Sequence, residues 1–149
     1  NNVLDYNNYK TEIYKNFNLQ IGFSKYKEEC FQFPKNHEDY GKKIAAFYYW
    51  IFPNIMLNIY PWGISLNVVC PINMSKTKVL FRSYVLDSSK LNNGASEDLK
   101  RVELEDEKIV ENVHKGINSS FYSSGRFSAK REKGVHHFHC LISQFLNLK

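Results

Sequence analysis

Several segments of the first 86 residues have the pattern of β-strands, and hydrophobic and polar positions alternate with a two-residue period at 64–70 and 76–86. Turn-forming segments separate the alternating runs, among them Pro61-Trp62-Gly63 and residues 71–75, and a polar stretch at 35–43 indicates a longer loop. The pattern predicts strands at residues 9–14, 19–23, 45–52, 54–60, 64–70 and 76–86. The short connections between the last four strands indicate an antiparallel meander.

After a polar loop at residues 87–95 the pattern changes to the period of amphipathic helices. Ser96 suits the N-cap of a first helix that runs to about Lys115, and Gly116 suits its C-terminal end. A loop rich in Ser and Gly follows at 118–133, and a second helix is predicted at about 135–148. Two helices over a curved antiparallel sheet predict one α+β domain spanning residues 1–149.

One carboxylate interrupts the apolar face of the first predicted helix. At roughly 100° per residue, Asp106 falls in the middle of that face. The apolar residues of the face are Leu99, Val102, Ile109, Val110, Val113 and Ile117. A carboxylate aimed into a core is unstable unless it is paired, protonated or bound to a metal. Asp106 therefore has a buried partner or lies in a functional cavity, unless the helix is slightly rotated and leaves Asp106 half exposed.

Composition excludes several classes of function. Aromatic residues make up 15% of the 149 positions, which favours a sheet-rich body or an aromatic-lined cavity. The net charge is +5, but the basic residues form no stripe, so nucleic-acid binding is not expected. No apolar run reaches membrane-spanning length, so no membrane association is expected. The cysteines Cys30, Cys70 and Cys140 show no metal-binding spacing, and their odd number favours a reducing cytoplasm.

Other polar residues are weaker candidates for a site. His136, His137 and His139 spread over a wide arc of the second helix, which favours solvated or supporting roles over a metal site. Asn54 and Asn58 interrupt an otherwise apolar strand region, where each either contacts a cavity or satisfies backbone groups.

A series of motifs resembles the C-terminal catalytic domain of Rieske-type ring-hydroxylating oxygenase α subunits, and most closely the branch that contains choline and carnitine monooxygenases. The first motif is Phe-Pro-Asn-Ile-Met-Leu-Asn-Ile-Tyr-Pro-Trp-Gly at 52–63. The others are Glu105-Asp106, the segment 109–113, Gly116, Tyr122, Gly-Arg-Phe-Ser at 125–128, and Glu-Lys-Gly-Val-His-His-Phe-His at 132–139. Their order and spacing carry the resemblance over most of the chain.

The resemblance implies a START-like helix-grip fold whose cavity holds a mononuclear Fe(II). In this family two histidines and one carboxylate bind the iron and leave positions open for O2. By this resemblance the carboxylate ligand and catalytic residue is Asp106. A [2Fe–2S] cluster would supply electrons that come from NAD(P)H through a reductase or ferredoxin. The reaction would be a mono- or dioxygenation of a small organic substrate, such as aromatic ring hydroxylation, in a protein that is a homotrimer when intact.

The chain also departs from the family pattern. The histidine ligands lie in an acidic-x-x-His-x-x-x-x-His segment, which residues 1–149 lack, as they lack the Cys and His ligands of a Rieske domain. We therefore expect a catalytic-domain piece of a longer chain that begins just after the histidines and is inactive alone. The alternatives are a stand-alone helix-grip module that binds an apolar ligand with Asp106 as a polar anchor, a decayed gene product, or an assembly subunit similar to the β subunits of these enzymes.

Overall fold

The computed structural model describes residues 9–25, 29–86, 88–90 and 97–147. Its body is a six-stranded sheet in which sequence neighbours pair antiparallel throughout, in the order β1 to β6. The strands are β1 (Lys10–Ile13), β2 (Phe17–Phe23), β3 (Ile44–Ile51), β4 (Ile55–Tyr60), β5 (Gly63–Asn73) and β6 (Lys76–Val85). The predicted meander is confirmed, because each alternating run of the sequence forms one strand.

The hairpin between β5 and β6 is longer than the sequence predicted. β5 continues through Pro71 to Asn73, and the turn contains only Met74 and Ser75. Proline is tolerated there because the pairing of β4 with β5 begins at Val68, so the missing N–H lies beyond the reach of β4. The side chain of Asn73 stabilises the turn by accepting a hydrogen bond of 3.0 Å from the Ser75 N–H.

The apolar core lies on one face of the sheet. Leu19, Ile21 and Ile44 are its buried centre. The half-buried aromatic residues packed on this centre are Phe23, Phe31, Phe33, Phe47 and Tyr49. Because the Phe31 N–H donates to the Ile44 carbonyl at 2.9 Å, the segment that precedes β3 is held against the first residue of that strand, and its phenylalanines pack on the core.

The opposite face of the sheet holds helix α2 (Lys133–Leu146). The ring of Phe138 packs edge-on against Trp50 with centroids 5.1 Å apart, and Phe145 packs on Phe52 at 4.8 Å. Leu141 is buried on the same helix. The α+β arrangement of a sheet and a packed C-terminal helix is therefore confirmed.

Helix α1 (Glu97–Ile117) differs from the prediction in its packing and its end. It continues through Gly116, and every side chain from 104 to 117 is exposed. The apolar side chains Leu104, Ile109, Val110, Val113 and Ile117 are 47–67% exposed. Along residues 104–117, no described residue covers the apolar face of α1, whereas Glu103 nearer its beginning is half-buried. Ser96 and the side chains of Leu99 and Val102 lie outside the described residues.

Candidate functional site: a cavity between the sheet and helix α2

A row of polar side chains crosses the face of the sheet that meets α2. Each residue of the row is the antiparallel pairing partner of the next residue on the neighbouring strand. Paired residues point to the same face of the sheet. The row consists of Thr11, Gln20, Tyr48, Asn58 and Ser65. The adjacent row contains Asn18, Trp50, Met56 and Asn67. The α2 side of the sheet is therefore mixed polar and aromatic, in contrast to the apolar core face.

These rows and the beginning of α2 border an open cavity of about 380 Å³. Its lining is Thr11, Asn18, Gln20, Tyr48, Tyr49, Trp50, Met56, Asn58, Arg131, Gly134, Val135 and Phe138. This volume is within the range of small-molecule sites, which are commonly aromatic clefts with a few polar groups. Among the described residues, the lining contains one cationic residue and no acidic residue.

The contact between Asn18 and Gly134 brings α2 close to β2. The Asn18 side chain is buried and donates a long hydrogen bond of 3.5 Å to the Gly134 carbonyl. Because glycine has no Cβ, the first turn of α2 can rest directly on this amide. This contact sets the width of the cavity at its helix end.

On β5 the buried face carries polar residues, and the apolar residues Ile64, Leu66 and Val68 lie on the opposite face. Ser65 is 1% exposed and Asn67 is 6% exposed, and the Ser65 hydroxyl donates to the Asn67 side-chain oxygen at 3.1 Å. Sequence reasoning missed these two residues. The available signal was the period-two recurrence of polar residues on neighbouring strands.

The two asparagines of the β4 region have different roles. Asn54 satisfies backbone groups, because its side-chain amide donates to the Val69 carbonyl at 3.0 Å and its own carbonyl accepts the Val69 N–H at 2.9 Å. Asn58 lines the cavity. The sequence left two roles open for these asparagines. Asn54 satisfies backbone groups, and Asn58 contacts the cavity.

A tyrosine at the end of β4 has an altered electrostatic environment. Burial raises the pKa of Tyr60 to about 12, a hydrogen bond from Tyr48 opposes that shift, and the charge of Glu103 adds to it. The Tyr60 ring stacks on Trp62 with centroids 4.8 Å apart. Burial, followed by the charge of Glu107, likewise raises the pKa of Glu103. Tyr60 is therefore neutral at physiological pH and links the cavity residue Tyr48 to the neighbourhood of α1.

The structure does not place Asp106 in a core or a cavity. Its side chain is exposed on α1, together with the apolar residues around it. The expectation of an inward-facing carboxylate is wrong for this chain, because the stripe that contains Asp106 has nothing packed on it among the described residues. The helical pattern correctly identified which residues share a face, but it could not show what covers that face.

The residues present do not fit a mononuclear iron by themselves. Within the described ranges, no three His, Cys, Asp or Glu side chains are close enough to share a metal ion. His136 and His139 each pack edge-on against the ring of Phe127 with centroids 5.2 Å apart. His137 has a buried Nδ1 that lacks a hydrogen-bond partner among these residues. Asp106 is therefore at most one member of a ligand set.

No helix in the described part of the chain combines the length and the apolar character that crossing a bilayer requires.

Comparisons with known proteins identify a family and relatives that resemble this chain. The family model for the ring-hydroxylating α subunit (catalytic domain) matches residues 9–147. Choline monooxygenase from Arabidopsis thaliana is 36% identical over 97% of this chain and 34% of its own length. The carnitine monooxygenase oxygenase subunit of Escherichia coli K12 is 30% identical over 89% of this chain and 37% of its own length. The chain thus spans about a third of the length of these relatives.

The fold is also shared with a solved structure. The crystal structure of the quaternary ammonium Rieske monooxygenase CntA with an inhibitor superposes with a TM-score of 0.69. The superposition covers 97% of this chain and 40% of that one at 20% sequence identity, so it demonstrates a common fold. On the family match and the relatives together, the chain belongs to the ring-hydroxylating α-subunit family of Rieske-type oxygenases.

Proposed function

We propose that this chain forms the substrate-binding part of a Rieske-type monooxygenase that oxidises a small molecule with a quaternary ammonium group. The cavity between the sheet and α2 carries the proposal, since the aromatic side chains of Tyr48, Trp50 and Phe138 line it. Aromatic faces attract quaternary ammonium ions through their ring quadrupoles, and this attraction strengthens when water is excluded. The relatives named as choline and carnitine monooxygenases support this substrate class over aromatic ring hydroxylation.

The geometry around Trp50 suits an ammonium group. Its ring and the Phe138 ring meet at 85° with centroids 5.1 Å apart, so the two rings present differently oriented surfaces. The buried Trp50 indole N–H has no hydrogen-bond partner among the described residues. The ammonium end of a ligand in this corner would contact the rings, and an oxygen elsewhere in the ligand would accept the hydrogen bond of the indole donor.

The proposal assigns Asp106 to the complete protein as the carboxylate ligand of a mononuclear Fe(II), which would supply the O2 chemistry. The two histidine ligands and the [2Fe–2S] cluster would come from parts of the protein outside these 149 residues, and electrons from a reductase or ferredoxin. This role requires the face of α1 that carries Asp106 to become covered in the complete domain. The exposed apolar residues around Asp106 support such covering. Without the remaining ligands, the isolated chain is expected to lack oxygenase activity.

Metal analysis of the complete protein tests this assignment. Asp106→Ala should remove most of the mononuclear iron and abolish oxygenation, while the visible spectrum of the [2Fe–2S] cluster persists. Glu107→Ala is the matched control, because it removes a neighbouring exposed carboxylate of the same helix. Normal turnover by Asp106→Ala, or equal iron loss in both variants, would remove Asp106 from the proposed ligand set.

A binding module without catalysis is the second candidate. The observation that favours it is that the described residues lining the cavity include no His, Cys, Asp or Glu that could bind a metal. Ligand binding by a complete protein that neither retains iron nor consumes O2 would support the module and exclude the oxygenase.

A further inference from the structure

Arg131 is the charged residue among the described residues that line the cavity. The others are polar but neutral, aromatic or aliphatic. The Arg131 side chain is exposed whereas that of Asn18 is buried, which places Arg131 at the rim and Asn18 toward the floor. Among the described residues the Arg131 guanidinium forms no ion pair. A cationic group without a partner at the rim of a neutral cavity is available to a ligand.

The position of Arg131 follows from the helix that it precedes. Arg131, Gly134, Val135 and Phe138 all line the cavity, and their spacing is that of one face of an α-helix. Arg131 precedes α2, which begins at Lys133, and lines the same cavity as the first turns of the helix.

A hydrogen-bonded turn fixes the backbone at this position. The Arg131 N–H donates to the Ser128 hydroxyl at 3.3 Å, and the Ser128 N–H donates to the Glu132 carboxylate at 2.5 Å. The Glu132 N–H donates a hydrogen bond of 2.9 Å to the Ser128 carbonyl. Such reciprocal bonds resemble those of a capping box and stabilise the entry to α2. Glu132 is thereby engaged with the backbone of Ser128.

We propose that Arg131 selects substrates that carry a carboxylate, so that the ligand is a short zwitterion rather than a simple ammonium alcohol. This inference rests on the proposed function, since the ammonium end would occupy the aromatic corner at Trp50 and Phe138. The guanidinium fork matches a carboxylate with two parallel hydrogen bonds. Arg131 and Phe138 line the same cavity, so a zwitterion whose ammonium end contacts Phe138 would direct its carboxylate toward Arg131.

A preference for carboxylate-bearing substrates distinguishes two kinds of relative. Choline has no carboxylate, whereas carnitine has one. The chain is more similar in sequence to the choline monooxygenase of Arabidopsis thaliana than to the carnitine monooxygenase subunit of Escherichia coli. The cavity chemistry nevertheless favours the carboxylate-bearing ligand, because a neutral hydroxyl gains little from a rim guanidinium.

Calorimetric titration of the purified protein with carnitine and with carnitine methyl ester tests the proposal. The ester keeps the ammonium and hydroxyl groups and removes only the negative charge. We expect carnitine to bind about fivefold to tenfold more tightly, the range of a charge-assisted pair weakened by exposure to solvent. Arg131→Gln should abolish this preference, while Arg131→Lys should retain part of it. Lys130→Gln, which removes an adjacent exposed charge outside the cavity, should leave the preference intact.

Equal affinity for both probes, or a preference that survives Arg131→Gln, would overturn the role of Arg131. Failure of every ammonium probe to bind would overturn it as well. These outcomes are distinguishable from failure of the proposed function, which is judged by iron content and O2 consumption of the complete protein.

Discussion

Gly134 lies so close to Asn18 that a Cβ at position 134 would be 3.0 Å from the Asn18 side-chain oxygen. The same Cβ would be 3.2 Å from the Asn18 Cγ. Since Asn18 is buried, its amide has little room to move aside. The approach of α2 to β2, and with it the width of the cavity, therefore depends on the absence of a side chain at this glycine.

Gly134→Ala should destabilise the fold by about 1 kcal/mol, because overpacking outweighs the better helix propensity of alanine. Denaturant unfolding measures this change. Gly116→Ala is the matched control in α1, where a new Cβ meets no atom within 4 Å, and it should not destabilise. If contact with Asn18 is the cause, the added change Asn18→Ala should reduce the penalty of Gly134→Ala. Equal effects of the two glycine substitutions would contradict this account.

The high pKa of Tyr60 predicts a loss of stability at alkaline pH. Burial raises this pKa from 10.0 to about 12. Between these values the unfolded chain has released a proton that the folded chain keeps, so the stability falls as the pH rises. The full stability is present below pH 10, and about 2–3 kcal/mol is lost by pH 12 through this group.

Denaturant unfolding of the wild type and of Tyr60→Phe at pH 8 and pH 11.5 measures that contribution. Phenylalanine cannot ionise, so the variant should lose less stability between the two pH values. The comparison at pH 8 serves as the control, since there the variants should differ only through the hydrogen bond with Tyr48. An identical alkaline loss in both proteins would show that Tyr60 is not the cause.

The exposed apolar face of α1 predicts that its backbone amides are weakly protected against hydrogen exchange in the 149-residue chain. Backbone amides of Ile109 and Val113 lie on a helix whose described apolar side chains are exposed, whereas those of Leu19 and Ile21 lie in the core. Hydrogen exchange should therefore be much faster at the α1 amides than at the β2 amides. Comparable protection would mean that α1 is buried by a contact that this structure lacks.

The strand meander was predictable because local signals coincide with each boundary. Alternation marked the strands, and Pro61-Trp62-Gly63 separated β4 from β5. The longer β5 was not predictable, since Pro71 normally ends a strand and is accommodated here only because β4 pairs no further than Val68. That exception depends on strand lengths, which are determined by the whole sheet and not by the residues around Pro71.

The site was harder to predict from the sequence than the fold was. Asn58 was identified as a candidate, but the burial of Ser65 and Asn67 depends on which face of the sheet receives α2. Alternation defines two faces without stating which is covered. Arg131 was missed because it lies in a predicted loop, and its place in the cavity follows from the turn that leads into α2. The role of Asp106 still rests on the family resemblance.

An NMR titration of the ¹⁵N-labelled protein with carnitine tests the central claim most directly. The chain has two tryptophans, of which Trp50 lines the cavity and Trp62 does not. We expect the indole N–H resonance of Trp50 to shift with saturation, together with the side-chain amide of Asn58, while the Trp62 indole resonance stays in place. A saturable shift that spares Trp50, or no shift up to millimolar ligand, would contradict a quaternary-ammonium site between the sheet and α2.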